Sequence, residues 1–381
     1  MAVQQESRER ALRMKMQAVR LAGLDLSERG DGDLEISRGL WGTMARRGLM
    51  GWSIPAAFGG DGARFSDILP AVEAFVGEGG RPGLAHSWMV HLLVGKVLLA
   101  GAANGNQKKE ILPGMAAGKR TASIAFSEPG AGSDPKRIRT TAVRKGRSYV
   151  LDGEKAWLTN GPLADLFIVF AVTGERGGRK AFTAFLVPRG ANGLTVREMP
   201  ALGYLRPSPH CEIRLEGCAV PETAILGRRG RAWEDLSKPF RVAEDVLLSG
   251  AILGGLDRQV SQAARSFQGS REKIDNDVKE RFGGFAALLE AARRIARDAA
   301  GDLDGGQRGT DVEHRLVSFH LIAKTLQESL RGMIEKPAGG GPSGRDGIGD
   351  DIVRLIGLGM HASRARQRKW GETLLIGKEK S

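Results

Sequence analysis

Apolar residues recur at intervals near 3.6 along Ala11–Leu21 and Leu92–Leu99, the spacing that gives a helix one buried face. Glycine-rich turns separate such stretches up to about residue 120, and Ile54-Pro55-Ala-Ala-Phe-Gly-Gly-Asp-Gly62 reads as a loop. From residue 121 to about 225 the period changes. Leu166–Val172 and Ala181–Val187 are short apolar runs, Glu212–Leu215 alternates, and each is bounded by glycine, proline or charge, as strands of a small barrel or sandwich are. Val143–Val150 reads as a hairpin. Beyond Gly230 the helical period returns in Val246–Leu256, Phe285–Ala300 and Glu313–Ile334, followed by a glycine-rich loop at Ala338–Gly347 and a last helix from about Asp350 to Trp370. No internal repeat is visible. The order predicts an α+β multidomain chain: a helical N-terminal domain over 1–120, a central β-barrel or sandwich domain over 121–228, and a C-terminal helical bundle over 229–381.

Composition narrows the function classes. The 381 residues are 41% hydrophobic and 27% charged, the balance of a globular chain long enough for two or three domains. No run of side chains approaches the eighteen apolar residues of a spanning helix, which predicts no membrane span. The first ten residues lack an apolar signal core and carry glutamates, so the sequence reads as a cytoplasmic protein that is helical from its start. Cys211, Cys218 and six scattered histidines have no metal-ligand spacing and no disulfide framework. The net charge of +13 invites a nucleic-acid reading. Its distribution argues against one: arginines are spread along helices such as Glu290–Asp298, and aromatic residues, at 6%, are not interleaved with cations. An acidic partner, or the phosphates of an anionic cofactor, suits the charge better.

Two stretches carry the chemistry. In Ile124-Ala-Phe-Ser-Glu-Pro-Gly-Ala-Gly-Ser-Asp134 a strand-like run enters a turn that proline and glycines impose, leaving a bared backbone with a hydroxyl and a carboxylate beside it. Taken alone, the segment reads equally as an ordinary loop. In Gly153-Glu-Lys-Ala-Trp-Leu-Thr-Asn-Gly161, Trp157 and Thr159 alternate with Ala156 and Leu158 and share one face of a strand. An indole and a hydroxyl on one face suit a heteroaromatic ring, whereas a buried core tryptophan would account for Trp157 by itself.

The two stretches, in this order and spacing, resemble the signature motifs of the flavin-dependent acyl-CoA dehydrogenases. Gly48-Leu-Met-Gly51 leading to Ile54-Pro55 and Phe58-Gly-Gly60, then Gln107–Pro113 with Ala117-Gly118, are similar to that family's N-terminal landmarks. Gly203, Val220-Pro221 and Leu226-Gly227 resemble its exit from the β domain, and the likeness extends from residue 7 to about 300. It implies FAD as cofactor and α,β-dehydrogenation of an acyl thioester of CoA or a carrier protein. In that chemistry a carboxylate removes the α-proton while the β-hydrogen leaves as hydride. It implies an electron acceptor such as an electron-transfer flavoprotein, a place in fatty acid metabolism, and a homo-oligomer, a dimer or a homotetramer, whose subunits complete each other's flavin sites.

Carried over by position, Ile124, Phe126 and Ser127 meet the flavin ring, Trp157 and Thr159 lie on its other side, and Ser133 lies on the acyl-CoA path. Arg265 and Gln268 match an arginine and an aromatic residue that reach a neighbouring subunit's FAD, although glutamine stands here for the aromatic; a solvated helical charge is the plain alternative for Arg265. The base departs most from the pattern. The usual C-terminal Tyr-Glu-Gly-Thr is represented only by Trp370-Gly-Glu372-Thr373, which also reads as a frayed helix end. Glu244 falls where members similar to isovaleryl- and long-chain acyl-CoA dehydrogenases carry the base, with apolar neighbours that favour a raised pKa. The adjacent Asp245 would raise it further and disfavour an anionic base. These departures leave a second expectation open, a catalytically degenerate scaffold subunit of a hetero-oligomer.

Overall fold

The structure, a computed structural model, describes residues 13–20, 33–200, 203–269, 274–307, 309–334 and 348–376. The helix expected from the first residues and the loop expected at 338–347 lie outside them. Residues 13–20 are helical. Then come α1 (Asp33–Arg46), α2 (Phe65–Gly77), α3 (Pro82–Leu93), which runs on through a π turn at Val94–Ala100, and α4 (Gly105–Ala116). Eight strands follow: β1 (Ala122–Ala125), β2 (Thr141–Lys145), β3 (Ser148–Thr159), β4 (Leu166–Arg176), β5 (Arg179–Pro188), β6 (Leu194–Glu198), β7 (His210–Pro221) and β8 (Ile225–Leu226). Four long helices close the order: α5 (Lys238–Gly269), α6 (Asn276–Asp304), α7 (Thr310–Ile334) and α8 (Ile348–Ile376).

Compactness cuts across this linear order. One unit gathers Asp25–Ala63 and His86–Glu244; the other gathers Met1–Leu24, Arg64–Ala85 and Asp245–Ser381. In the first, the strands form a mixed sheet in the order β6-β7-β3-β2-β4-β5-β8, with β1 parallel to β4 off that path. Its interior is the period-two pattern made solid: Tyr149, Leu151 and Leu158 of β3 pack with Phe167 and Val169 of β4, Phe185 and Val187 of β5, and Ile213, Leu215 and Val220 of β7. Cys211 and Cys218 are free thiols within this core, and burial pushes Cys211 up to about 12, so it behaves as a small apolar side chain.

In the second unit the long helices approach through glycines. A Cβ at Gly254 would strike the Glu73 carbonyl of α2, and one at Gly255 would strike Ile352 of α8. Arg293 of α6 bonds Glu73 at 2.7 Å, and the Asp304 carboxylate accepts from the Phe65 and Ser66 amides at the start of α2 at 2.7 and 2.9 Å. Pro82–Ala100 forms a 19-residue helical stretch long and apolar enough to cross a bilayer, which the sequence reading missed by counting unbroken apolar runs. Because 83% of its most apolar window is buried inside the protein, that apolarity serves a core.

Candidate active site

The first unit holds a recess of about 120 Å³. Ile124, Phe126, Ser127 and Ser133 reach it from the end of β1 and the turn beyond, Ala156, Trp157 and Thr159 from β3, and Phe240, Arg241 and Glu244 from the start of α5. Residues that the sequence places at 124–133, 157–159 and 244 therefore line a single cavity. Arg265, Gln268 and Glu372 do not line it: all three are exposed and belong to the other unit, the first two near the C-terminal end of α5 and the last near the end of α8.

What joins the two motifs is an ion pair inside them. Lys155, with no exposed side chain, donates from Nζ to Glu128 Oε1 at 2.9 Å and to the Phe126 carbonyl at 3.0 Å. Glu128 also accepts from the Arg139 and Thr140 amides at 2.7 and 2.9 Å and from the Thr140 hydroxyl. Burial alone would push the Glu128 carboxyl up, but the Lys155 ammonium and these donors overcome it and hold the group below its ordinary value. On Lys155 burial wins: it is lowered to about 8 despite Glu128. Main-chain bonds complete the clasp, Ala156 N to Ser127 O at 3.0 Å and Ser123 Oγ to Thr159 O at 2.8 Å. The glycines then shape the turn, since Gly130 and Gly132 sit at φ 70° and 57°.

Strand alternation fails at the residue that matters most. A bulge between Lys155 and Leu158 in the pairing of β3 with β7 lets consecutive residues Ala156 and Trp157 both reach the recess, and Trp157 takes φ 63°. A left-handed conformation costs a bulky residue about 1–3 kcal/mol and persists where surroundings over-determine it, often at ligand clamps. The indole is 51% exposed although its strand neighbours are buried. Phe126 differs: its ring is buried in an aromatic cluster with Phe170, Phe182 and Trp233, at centroid distances of 5.3–5.9 Å.

Two polar arrangements went unread in the sequence. Arg241 Nη1 donates to Ser133 Oγ at 3.1 Å, and Arg241 stands one helical turn before Glu244; the three-residue spacing was a readable sign. Thr159 Oγ1 lies 3.1 Å from His210 Nε2, a cross-strand contact that needs the register of β3 on β7 and so leaves no local signal. Asp245, expected to crowd Glu244 with like charge, bonds Arg366 of α8 at 2.6 Å, so a guanidinium compensates its charge.

An exposed indole, hydroxyls at Ser127 and Thr159 and a half-buried carboxylate around a shallow recess fit one face of a flat heteroaromatic ring; enclosed small-molecule sites are larger, about 300–1,000 Å³. Fold and recess together define a chain of the helical, β, helical kind with a candidate recess for such a ring. The comparisons agree: the acyl-CoA dehydrogenase N-terminal domain model matches residues 7–119 and the middle domain model residues 123–218. The mitochondrial isovaleryl-CoA dehydrogenase of Solanum tuberosum is 30% identical over 278 residues, 71% of this chain and 66% of that protein, so the match spans about two thirds of its length. The L-prolyl-[peptidyl-carrier protein] dehydrogenase of Pseudomonas fluorescens is 31% identical over 275 residues, 71% of this chain and 72% of that one. The FAD complex of PigA superposes with a TM-score of 0.80 at 25% identity, covering 98% of both chains. The chain belongs to the acyl-CoA dehydrogenase family.

Proposed function

We propose that this chain is an FAD-dependent oxidoreductase that dehydrogenates the Cα–Cβ bond of an acyl thioester, with Glu244 as the base. One observation carries the reading: Glu244 lines the same recess as residues of both flavin motifs. When bound, FAD supplies the hydride acceptor. The chain supplies the rest. Trp157 offers its indole as a stacking surface, and Ser127 and Thr159 offer hydroxyls to the ring. Glu244, half-buried on a helix, takes the α-proton on a carboxylate oxygen. Arg241, one turn away, holds Ser133 in the recess. The thioester belongs to CoA or, as the Pseudomonas relative's name illustrates, to a carrier protein. Electrons then pass to an acceptor such as an electron-transfer flavoprotein. The exposed Arg265 and Gln268 suit a homo-oligomer, a dimer or tetramer, in which they reach a neighbouring copy's cofactor, and we place its work in the cytoplasm.

The test is bleaching of the bound flavin's visible absorbance by a panel of acyl-CoA and pantetheinyl carrier-protein thioesters. At least one should bleach it. Glu244→Gln should slow the bleaching at least ~100-fold, the usual worth of a positioned base, and Glu372→Gln should not. A flavin-loaded protein bleached by no thioester would return the scaffold-subunit reading.

A further inference from the structure

The hydroxyl of Thr159 is not free to turn either way. His210 Nδ1 lies 2.7 Å from the Ser208 carbonyl oxygen, which can only accept, so Nδ1 carries the hydrogen. Burial lowers the basicity of His210, and its ring stacks at 6.5 Å and 15° on His86, itself lowered to about 3 by burial and by His210. A second proton on this imidazole is therefore disfavoured at neutral pH. Nε2 is left with a lone pair and no hydrogen, and the group 3.1 Å from it is the Thr159 hydroxyl, which must donate. The support is deep. Ser208 is buried and its hydroxyl accepts from Ser87 Oγ at 3.0 Å, while Thr159 and His210 are direct partners across β3 and β7.

We propose that His210 is a positioning residue that fixes the Thr159 hydroxyl as a hydrogen-bond acceptor toward the recess. With its single hydrogen directed at Nε2, Thr159 keeps only lone pairs for a ligand. The recess wall at Thr159 is then selective for a donor, an N–H or O–H edge, and repels a ring nitrogen that bears only a lone pair. This rests on the FAD reading for its consequence: reduction adds N–H groups to the flavin ring system, so an acceptor-only wall binds the reduced cofactor more tightly than the oxidised one. His210 thus raises the reduction potential without touching the ring.

The experiment has two arms. In flavin-free protein labelled with ¹⁵N-histidine, the His210 nitrogen shifts should show a protonated Nδ1 and an accepting Nε2, and Thr159→Val should move the Nε2 signal and leave Nδ1 in place. In the flavin-loaded protein, dye-equilibrated reduction gives the ratio of affinities for the two redox forms. His210→Phe, which frees the Thr159 hydrogen, should shift that ratio about three- to tenfold toward the oxidised form, a fall of about 15–30 mV at ~30 mV per tenfold for two electrons. His210→Gln, whose amide oxygen accepts in place of Nε2, should restore the ratio to within about twofold. In a Thr159→Val background His210→Phe should change nothing. A protonated Nε2, or an equal shift with and without the Thr159 hydroxyl, overturns the proposal. A chain that retains no FAD refutes the proposed function instead, and the tautomer then decides the His210 assignment alone.

Discussion

Replacing Lys155 with methionine probes the join between the two motifs with little change in volume. The substitution leaves Glu128 buried with only the Arg139 and Thr140 amides and the Thr140 hydroxyl as donors. Removing one partner of a buried pair costs about 3–5 kcal/mol when the other stays charged, and the three remaining donors place this case near the lower end. For a unit of roughly 200 residues, ~3 kcal/mol corresponds to a fall in Tm of about 6–12 °C. The pH dependence gives the argument its sign. In the native chain Glu128 is held below its ordinary value, so its contribution is present above about pH 4.5 and is lost as pH falls through the lowered folded pKa. Without Lys155, only these three donors oppose burial, so Glu128 is raised relative to the native chain and the variant takes up a proton more readily. The gap between native and variant protein should therefore be widest near neutrality and narrow toward pH 5. Urea unfolding at pH 7.5 and pH 5, with flavin absent, measures both. The double variant Glu128→Gln with Lys155→Met removes the charge and should recover more than half of the loss. A single variant within about 0.5 kcal/mol of native, or a double variant no better than the single one, would show that the pair does not join the motifs.

Further outcomes follow from the recess and the helical unit. Trp157→Ala should weaken FAD retention about two- to tenfold, since an aromatic contact contributes roughly 0.5–1.5 kcal/mol beyond burial; unchanged occupancy after dialysis would sink the stacking role. Arg241→Leu should slow flavin bleaching, because the Ser133 hydroxyl loses the donor that holds it in the recess; an unchanged rate would mean that this bond has no part in the reaction. Gly359→Ala should cost about 1–3 kcal/mol by calorimetry, since the added Cβ meets the buried His320 ring, and a neutral result would mean α7 and α8 have slack there.

Much of the fold was legible because the period of apolar residues reports which face is buried, and that holds for Leu166–Val172 as strand and Phe285–Ala300 as helix. β6 was missed for the same reason. Leu194-Thr-Val-Arg-Glu198 lies at the edge of the sheet, where only Leu194 and Val196 are half-buried against the β core, so burial leaves a short and weak pattern in it. In the recess, local motifs marked the positions of Ile124, Ser127, Trp157 and Glu244. They did not say that Glu128 would meet Lys155, because a sequence gives charges without partners. Nor did they show the bulge: simple alternation sets Trp157 and Thr159 on one face, while the chain brings Ala156 to the recess as well by turning Trp157 into a left-handed conformation. Register lies outside local pattern altogether, which is why His210 had no voice until β7 was laid against β3.

The exposed indole of Trp157 has an optical consequence. Trp41, Trp52 and Trp88 are buried, Trp233 and Trp370 are half-buried, and Trp157 is the aromatic among the exposed large apolar side chains of the described residues. A water-facing indole emits to the red of buried ones, so the red edge of the protein's fluorescence should belong mainly to Trp157. The molecule thereby carries its own gauge of whatever comes to lie on that wall. Selective quenching of the red edge would report loading of the cofactor, with no label attached and no activity required.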